Sequence, residues 1–173
     1  MGRIAAIVLA AGEASRFGSA KQRLLLPRVL ERLSAAPVDE IVIVAGAYEL
    51  EARGTEPRAF PCRIVECPEW ARGPGASLRC GLAALDDDVD AAVVVLADGP
   101  SLSPRAVVRV LGAWEETAGI VAASYDGERG HPLVIGRREW TDIPDEGLHR
   151  RPARLIPCDD LGRPGDVDRP SDL

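Results

Sequence analysis

The sequence predicts an α/β fold built on a largely parallel sheet. Short apolar runs alternate with helical patterns along the chain, which is typical of consecutive βαβ units. The first run, Ile4–Leu9, is continuously apolar and β-branched at Ile4, Ile7 and Val8, as expected for a strand buried on both faces. No repeat or linker interrupts the 173 residues, so residues 1–173 are expected to form a single domain.

Seven short apolar stretches predict strands, and three longer patterns predict helices. The strands are Ile4–Leu9, Ile41–Ala45, Cys62–Val65, Ala91–Leu96, Ile120–Ala123, Leu133–Ile135 and Arg154–Ile156. The helices are Pro27–Ser34, Ser77–Leu85 and Pro104–Glu115. Proline suits the first turn of the first and third helices, and Ser77 and Ser103 are candidate N-caps of the second and third.

Composition and charge limit the classes of partner. The net charge of −6 argues against a nucleic-acid surface, and an anionic nucleotide would need locally placed cations or a metal ion. The first apolar run is too short for a membrane span or a signal-peptide core, so we expect no membrane association and a cytoplasmic location. The cysteines show no zinc-binding spacing and are expected to be reduced core residues. They are Cys62, Cys67, Cys80 and Cys158.

The segment after the first strand has the composition of a phosphate-binding loop. It contains Gly12 and Gly18, whose neighbouring backbone N–H groups can approach an anion, and the cations Arg16 and Lys21. The spacing excludes a Walker loop, and the alanine at position 14 excludes the Gly-x-Gly-x-x-Gly dinucleotide fingerprint. The alternative is an ordinary glycine-rich turn with two solvated cations.

Two acidic segments are candidates for a metal site. Asp98 lies just beyond the strand Ala91–Leu96, where a carboxylate can ligate Mg²⁺ or, alternatively, stabilise the Gly-Pro turn that follows. Asp166 and Asp168 would face the same way in a strand, and a polar, frayed segment is the alternative there. The run Asp86–Asp90 precedes a strand, at the end opposite the expected site, and is interpreted as a solvated loop.

Five short motifs occur in a fixed order along nearly the whole chain. The first is Leu9-Ala10-Ala11-Gly12 followed by Ser15-Arg16, Gly18 and Lys21. The others are Glu66–Gly81, Leu96–Pro100, Gly130–Gly136 and Asp166–Leu173. Together they resemble the MobA-like nucleoside triphosphate transferases, a family that includes the molybdenum cofactor cytidylyltransferases.

The resemblance implies a fold and a set of site residues. The fold is a three-layer, mostly parallel Rossmann-like sheet of the nucleotide-diphospho-sugar transferase type. Arg16, Lys21 and Asp98 would be catalytic, and Asp98 and Asp168 would hold the cofactor Mg²⁺. The nucleotide would be bound by Leu9, Ala10, Ala11, Gly12, Gly18, Gly75 and Ser77. His131, in Gly130-His131-Pro132, would bind the acceptor, and Asp145–Gly147 resembles a loop that closes over the acceptor. The alternative for Ser77 is a capping role alone, and the alternative for His131 is a structural role.

The resemblance also implies a reaction and partners. A nucleoside monophosphate would pass from a nucleoside triphosphate, CTP before GTP, to a phosphorylated acceptor of the molybdopterin type, with release of pyrophosphate. A molybdoenzyme or its chaperone would be the protein partner. Two departures from the family pattern keep alternatives open: Cys67 replaces an asparagine, and a Gly-Gly-x-Pro-Leu stretch ahead of the first helix is missing. The alternatives are a sugar-phosphate nucleotidyltransferase and a nucleotide- or cofactor-binding protein without turnover.

Overall fold

The computed structural model describes residues 2–12, 21–46 and 61–165, with the backbone alone for 21–24. Seven strands are present in these ranges: β1 (Arg3–Ala10), β2 (Glu40–Ala45), β3 (Cys62–Glu66), β4 (Val89–Leu96), β5 (Ile120–Tyr125), β6 (Glu128–Gly136) and β7 (Arg154–Pro157). The helices are α1 (Lys21–Ser34), α2 (Pro74–Ala83) and α3 (Pro104–Thr117). Short 3-10 turns lie at Trp70–Arg72, Arg137–Glu139 and Asp159–Leu161. In the described ranges, no helix is long and apolar enough to cross a membrane.

All seven strands join one mostly parallel sheet, as predicted. Their order across the sheet is β3-β2-β1-β4-β6-β5-β7. Only β6 runs against its neighbours, pairing antiparallel with both β4 and β5. The central strands β1 and β4 are parallel and adjacent, with Leu9 opposite Leu96. Their carboxyl ends therefore meet at one edge of the sheet, where ligands bind in open α/β folds.

The core has two layers because both faces of the sheet are covered by helices. Ala6 and Val8 of β1 pack into the layer under α1 and α3, and Ala5 and Ile7 into the layer under α2. All four side chains are fully buried, which confirms the prediction of a strand buried on both faces. The result is the expected three-layer arrangement.

Helix α1 begins at Lys21, six residues before the predicted start, and the prediction that Pro27 opens it is wrong. Proline in a helix interior costs about 3 kcal/mol or more. Leu25 and Leu26 precede it in the helix and are only 1% and 2% exposed, and burying a leucine stabilises by about 1.5–3 kcal/mol. Extending the helix over these two residues therefore offsets the cost of the internal proline.

Helix α2 begins at Pro74, and the prediction that Ser77 is its N-cap is also wrong. Gly73 occupies the cap position with φ of 137°, a value that residues with a side chain rarely adopt. Ser77 lies inside the first turn and is buried. Ser103 does occupy the cap position of α3, but its side chain makes no capping hydrogen bond.

Two of the four cysteines are paired, contrary to the expectation that all are reduced. Cys67 and Cys80 form a disulfide with their Cα atoms 5.8 Å apart. The disulfide links the segment after β3 to helix α2. The two cysteines are close because this segment folds back onto the helix, and their separation of 13 residues in the sequence does not predict that contact. Cys62 and Cys158 are not part of this disulfide, and Cys158 is buried as expected.

Candidate active site

A cleft of about 360 Å³ opens at the shared carboxyl edge of β1 and β4. Its floor is formed by the strand ends, Leu9 and Leu96, and its wall by the start of α2 and the 3-10 turn before it. The residues around the cleft are Leu9, Ala11, Gly12, Trp70, Ala71, Gly73, Pro74, Ser77, Leu96 and Asp98. A cleft at this edge is the expected ligand position in an open α/β sheet.

The strand end and the predicted metal ligand lie side by side. The backbone N–H of Ala97 donates to the carbonyl of Leu9 at 3.1 Å, which continues the β1–β4 pairing past the strand ends. Asp98 is the next residue, in a turn where the N–H of Gly99 donates to the carbonyl of Leu96 at 3.2 Å. The half-buried Asp98 therefore enters the same cleft as Gly12.

Several predicted residues lie outside the described ranges. They are Arg16 and Gly18 of the loop after β1, and Asp166 and Asp168 near the end of the sequence. Lys21 is the first residue of α1, and its side chain is not described. Ala10 is buried at the end of β1, next to the cleft-lining Ala11.

The chain just before Asp166 packs against the turn that carries Asp98. The N–H of Ser101 donates to the carbonyl of Pro164 at 2.8 Å. Gly99 lies so close to Pro164 that a Cβ on this glycine would come within 3.1 Å of the proline Cβ. The last described residues are thereby anchored beside the cleft.

His131 lies on β6 beside Asp98 and is neutral at physiological pH. Burial and the positive charge of Arg129 lower the pKa of His131 from its ordinary value of 6.5 to about 4, although the carboxylate of Asp98 opposes this shift. The carbonyl of His131 accepts a hydrogen bond from the hydroxyl of Tyr125 at 2.9 Å. A neutral imidazole can accept or share a proton but adds no positive charge to the site.

The loop Ile143–Gly147 is held against the start of α2. The N–H of Gly75 donates to the carbonyl of Asp145 at 2.8 Å, and the Arg79 guanidinium donates to the Asp145 carboxylate at 2.6 Å and to the carbonyl of Ile143 at 2.6 Å. Arg79 accordingly holds the pKa of Asp145 below its ordinary value. A Cβ on Gly75 would overlap the backbone of Pro144, so this position requires glycine for packing between protein segments. Gly75 does not line the cleft itself, and a contact with nucleotide stays a prediction.

A second cavity of about 420 Å³ adjoins the cleft and shares Leu9, Pro74 and Leu96 with it. Strand alternation places every second residue of β6 on the same face, and Arg129, His131 and Leu133 all line this cavity. The remaining residues around it are Leu78, Val94, Gly130, Glu146, Gly147, Leu148 and His149.

Within the described residues, no group of three or more His, Cys, Asp or Glu side chains is arranged to hold a metal. The acidic run Asp86–Asp90 lies at the amino end of β4, away from the cleft, as predicted. Arg3 pairs with Asp88 at 3.1 Å and with Asp86 at 3.9 Å, so part of this run has a structural role.

Two residues of the site were not found from the sequence. Trp70 lines the cleft. The chain has only three tryptophans, and this rarity was the sequence feature that could have marked Trp70 as a candidate. Arg129 lines the second cavity two residues before His131, but the predicted strand began only at Leu133. With β6 extended to Glu128, alternation alone would have placed Arg129 beside His131.

The family model described as the MobA-like NTP transferase domain matches residues 6–156, a span that includes the cleft, all of β4 and β1 from Ala6 onward. The chain belongs to the MobA-like NTP transferase family. This confirms the family suggested by the motifs, and the fold agrees with it.

Similar proteins agree with this assignment. A bifunctional protein GlmU from Sorangium cellulosum is 27% identical over 147 residues, which cover 78% of this chain and 31% of the relative. The chain thus spans about a third of the length of the curated relatives it matches. Rv0371c from Mycobacterium tuberculosis has 25% identity and a TM-score of 0.77, covering 99% of this chain and 95% of that one. A second structure of Rv0371c is a manganese complex. A nucleotidyl transferase from Methanothermobacter thermautotroptrophicus has 22% identity and a TM-score of 0.69, covering 98% and 94% of the two chains.

Proposed function

We propose that this protein is a Mg²⁺-dependent nucleotidyltransferase with residues 1–173 as its transferase domain. It transfers a nucleoside monophosphate from a nucleoside triphosphate to a phosphorylated acceptor and releases pyrophosphate. The observation that carries the proposal is the meeting of Gly12 and Asp98 in one cleft, at the carboxyl ends of adjacent parallel strands.

The nucleoside triphosphate occupies the cleft. Its base and ribose lie along Leu9–Gly12 and the α2 wall, where Ser77 offers a hydroxyl group and Trp70 a flat aromatic surface. The loop from Gly12 to Gly18, with Arg16 and Lys21, binds the β- and γ-phosphates through backbone N–H groups and two cations. CTP is the favoured donor and GTP the second, as in the family branch that the motifs resemble.

The donor set fits Mg²⁺. Asp98 offers hard carboxylate oxygens in the cleft, and Asp168 is the second proposed ligand, three residues after Gly165 in the sequence. The anchoring of Pro164 to Ser101 supports Asp168 as the second ligand. Bound there, Mg²⁺ would neutralise charge that develops around the α-phosphate. The manganese complex of the related fold supports a divalent cation.

The reaction is an in-line displacement at the α-phosphorus. An oxygen of the acceptor phosphate forms a new bond to this phosphorus, and the bond to the β-phosphate oxygen breaks, which releases pyrophosphate. Arg16 and Lys21 stabilise the leaving pyrophosphate, and His131 orients the acceptor through its neutral imidazole. The protein contributes mainly position and charge.

Two acceptors are candidates. Molybdopterin is favoured because of the family motifs, with a molybdoenzyme or its chaperone as the receiving partner. The relatives described above are a GlmU protein, Rv0371c and a nucleotidyl transferase, and none of them is named for a molybdenum cofactor. A sugar phosphate is therefore the second candidate. The cytoplasm is the proposed compartment, where the Cys67–Cys80 disulfide is an unusual feature.

Pyrophosphate release from CTP and GTP, with molybdopterin or a sugar phosphate as acceptor, tests the proposal. Asp98→Asn should lower the rate by at least about a hundredfold, because the cleft loses a charged metal ligand. Asp87→Asn, in the exposed acidic run, is the matched control and should leave the rate unchanged. Metal-dependent binding of nucleotide without pyrophosphate release would favour a binding protein, and full activity of Asp98→Asn would refute the assignment of this residue.

A further inference from the structure

The second cavity contains a cation that the reaction as described does not use. Arg129 is half-buried and lines this cavity on the same face of β6 as His131. Its Nη1 group donates to the backbone carbonyl of Arg151 at 2.8 Å, which fixes the side chain but leaves its charge unneutralised. Within the described residues, Arg129 has no carboxylate partner, and burial alone lowers the pKa of its guanidinium.

A half-buried cation facing a cavity favours an anionic ligand. A guanidinium keeps its proton in proteins, so Arg129 contributes a permanent positive charge to this strand face. Glu146 also lines the cavity but is exposed, so solvent screens its charge more strongly than that of Arg129. The guanidinium fork matches the oxygens of a phosphate or carboxylate.

The rest of the cavity wall is mostly aliphatic. Leu78, Val94, Leu133 and Leu148 contribute buried hydrocarbon surface, and Leu9 and Leu96 continue this surface into the nucleotide cleft. Where it contacts these aliphatic side chains, a polyhydroxylated sugar ring would lose its water without gaining hydrogen bonds, which is unfavourable. A flat or compact ring with few hydroxyl groups would gain from contact with the same surface.

We propose that Arg129 selects the acceptor, by binding an anionic group of a phosphate monoester whose ring lies against this aliphatic wall. The proposal rests on the proposed function, because the acceptor must lie beside the nucleotide cleft. It distinguishes between the two acceptor candidates: a ring compound with few hydroxyl groups is favoured over a sugar phosphate. Arg129 is then the acceptor-binding residue that determines specificity.

Two commercially available phosphate monoesters serve as probes. Pyridoxine 5′-phosphate has a flat heteroaromatic ring, and glucose 1-phosphate has a hydroxylated one. Their affinities are measured by calorimetry with and without Mg²⁺ and the unreactive donor α,β-methylene CTP or GTP. We expect the wild-type protein to bind pyridoxine 5′-phosphate at least about tenfold more tightly than glucose 1-phosphate.

Arg129→Gln should weaken the binding of pyridoxine 5′-phosphate by at least about tenfold, and Arg129→Lys by less, because a point charge is retained. Arg138→Gln is the matched control, since Arg138 is exposed and lines none of these cavities. Equal or tighter binding of glucose 1-phosphate, no binding of either probe, or no effect of Arg129→Gln would overturn the proposal. Binding of the unreactive nucleotide in the same titrations reports on the proposed function separately. If nucleotide binds and Arg129 has no effect, only the acceptor inference fails.

Discussion

Gly75 provides a sharp test of how the site is built. This residue is the second of helix α2, and its N–H group donates to the carbonyl of Asp145 at 2.8 Å. A Cβ added here would overlap the carbonyl of Pro144 and approach the backbone nitrogen of Gly147 to 2.8 Å. Both contacts are with backbone, so no side-chain rotation can relieve them. Gly75→Ala must therefore separate the loop from the helix.

The cost follows from the contacts that are lost. Overpacking of a close contact costs about 1–3 kcal/mol, and loss of the hydrogen bond to Asp145 about 0.5–1.5 kcal/mol more. Alanine recovers about 1 kcal/mol of helix propensity. The net destabilisation is about 2 kcal/mol, which lowers Tm by about 4–8 °C for a chain of this length.

Gly112→Ala is the matched control for this substitution. Gly112 lies in α3, and a Cβ there would meet no atom within 4 Å. The same chemical change should raise stability by about 0.5–1 kcal/mol, because alanine is the better helix former. Both variants are compared by calorimetric unfolding. A Tm for Gly75→Ala equal to or above that of the wild type would refute the reasoning.

Two further predictions concern stability. The pKa of His131 is about 4 in the folded protein and 6.5 ordinarily, so the unfolded chain binds a proton first as the pH falls. Stability should therefore decrease from pH 7 to pH 5, and His131→Gln should remove about 2 kcal/mol of this decrease, as measured by urea unfolding at each pH. Reduction of the disulfide that joins Cys67 and Cys80 opens a loop of 13 residues and should cost about 3 kcal/mol, measured as the loss of Tm in a dithiol reductant. Cys80→Ser should abolish that sensitivity to reductant, and Cys62→Ser should not; a Tm indifferent to reduction would contradict the pairing.

The sheet could be predicted because buried parallel strands leave continuous apolar runs. Residues 91–95 of β4 are all buried, and the sequence there is apolar throughout. Helix starts were harder, since proline and serine have positional preferences that packing overrides. In α1 the burial of Leu25 and Leu26 extends the helix through Pro27, and in α2 the unusual backbone of Gly73 moves the cap four residues ahead of Ser77.

A site residue could be predicted only where it directly follows an element that the sequence identifies. Asp98 follows a recognisable strand, so its position at the carboxyl edge could be derived from the sequence. Alternation along a longer β6 would have placed Arg129 beside His131, but its role could not be derived, because that role depends on a cavity formed jointly by β6, α2 and the loop around Gly147. The link between Cys67 and Cys80 was not predicted because it depends on how the segment after β3 folds back onto α2.

The central claim is that the cleft binds a nucleoside triphosphate together with a divalent metal. Trp70 lines the cleft, whereas Trp114 and Trp140 are not among its lining residues, so the fluorescence of Trp70 reports on occupancy. Titration with CTP and GTP should change the fluorescence saturably with Mg²⁺ present and much less without it. Trp70→Phe should lose the signal while calorimetry still detects binding, and Asp98→Asn should weaken the metal dependence. No saturable binding of any triphosphate by either method, with or without Mg²⁺, would contradict the account.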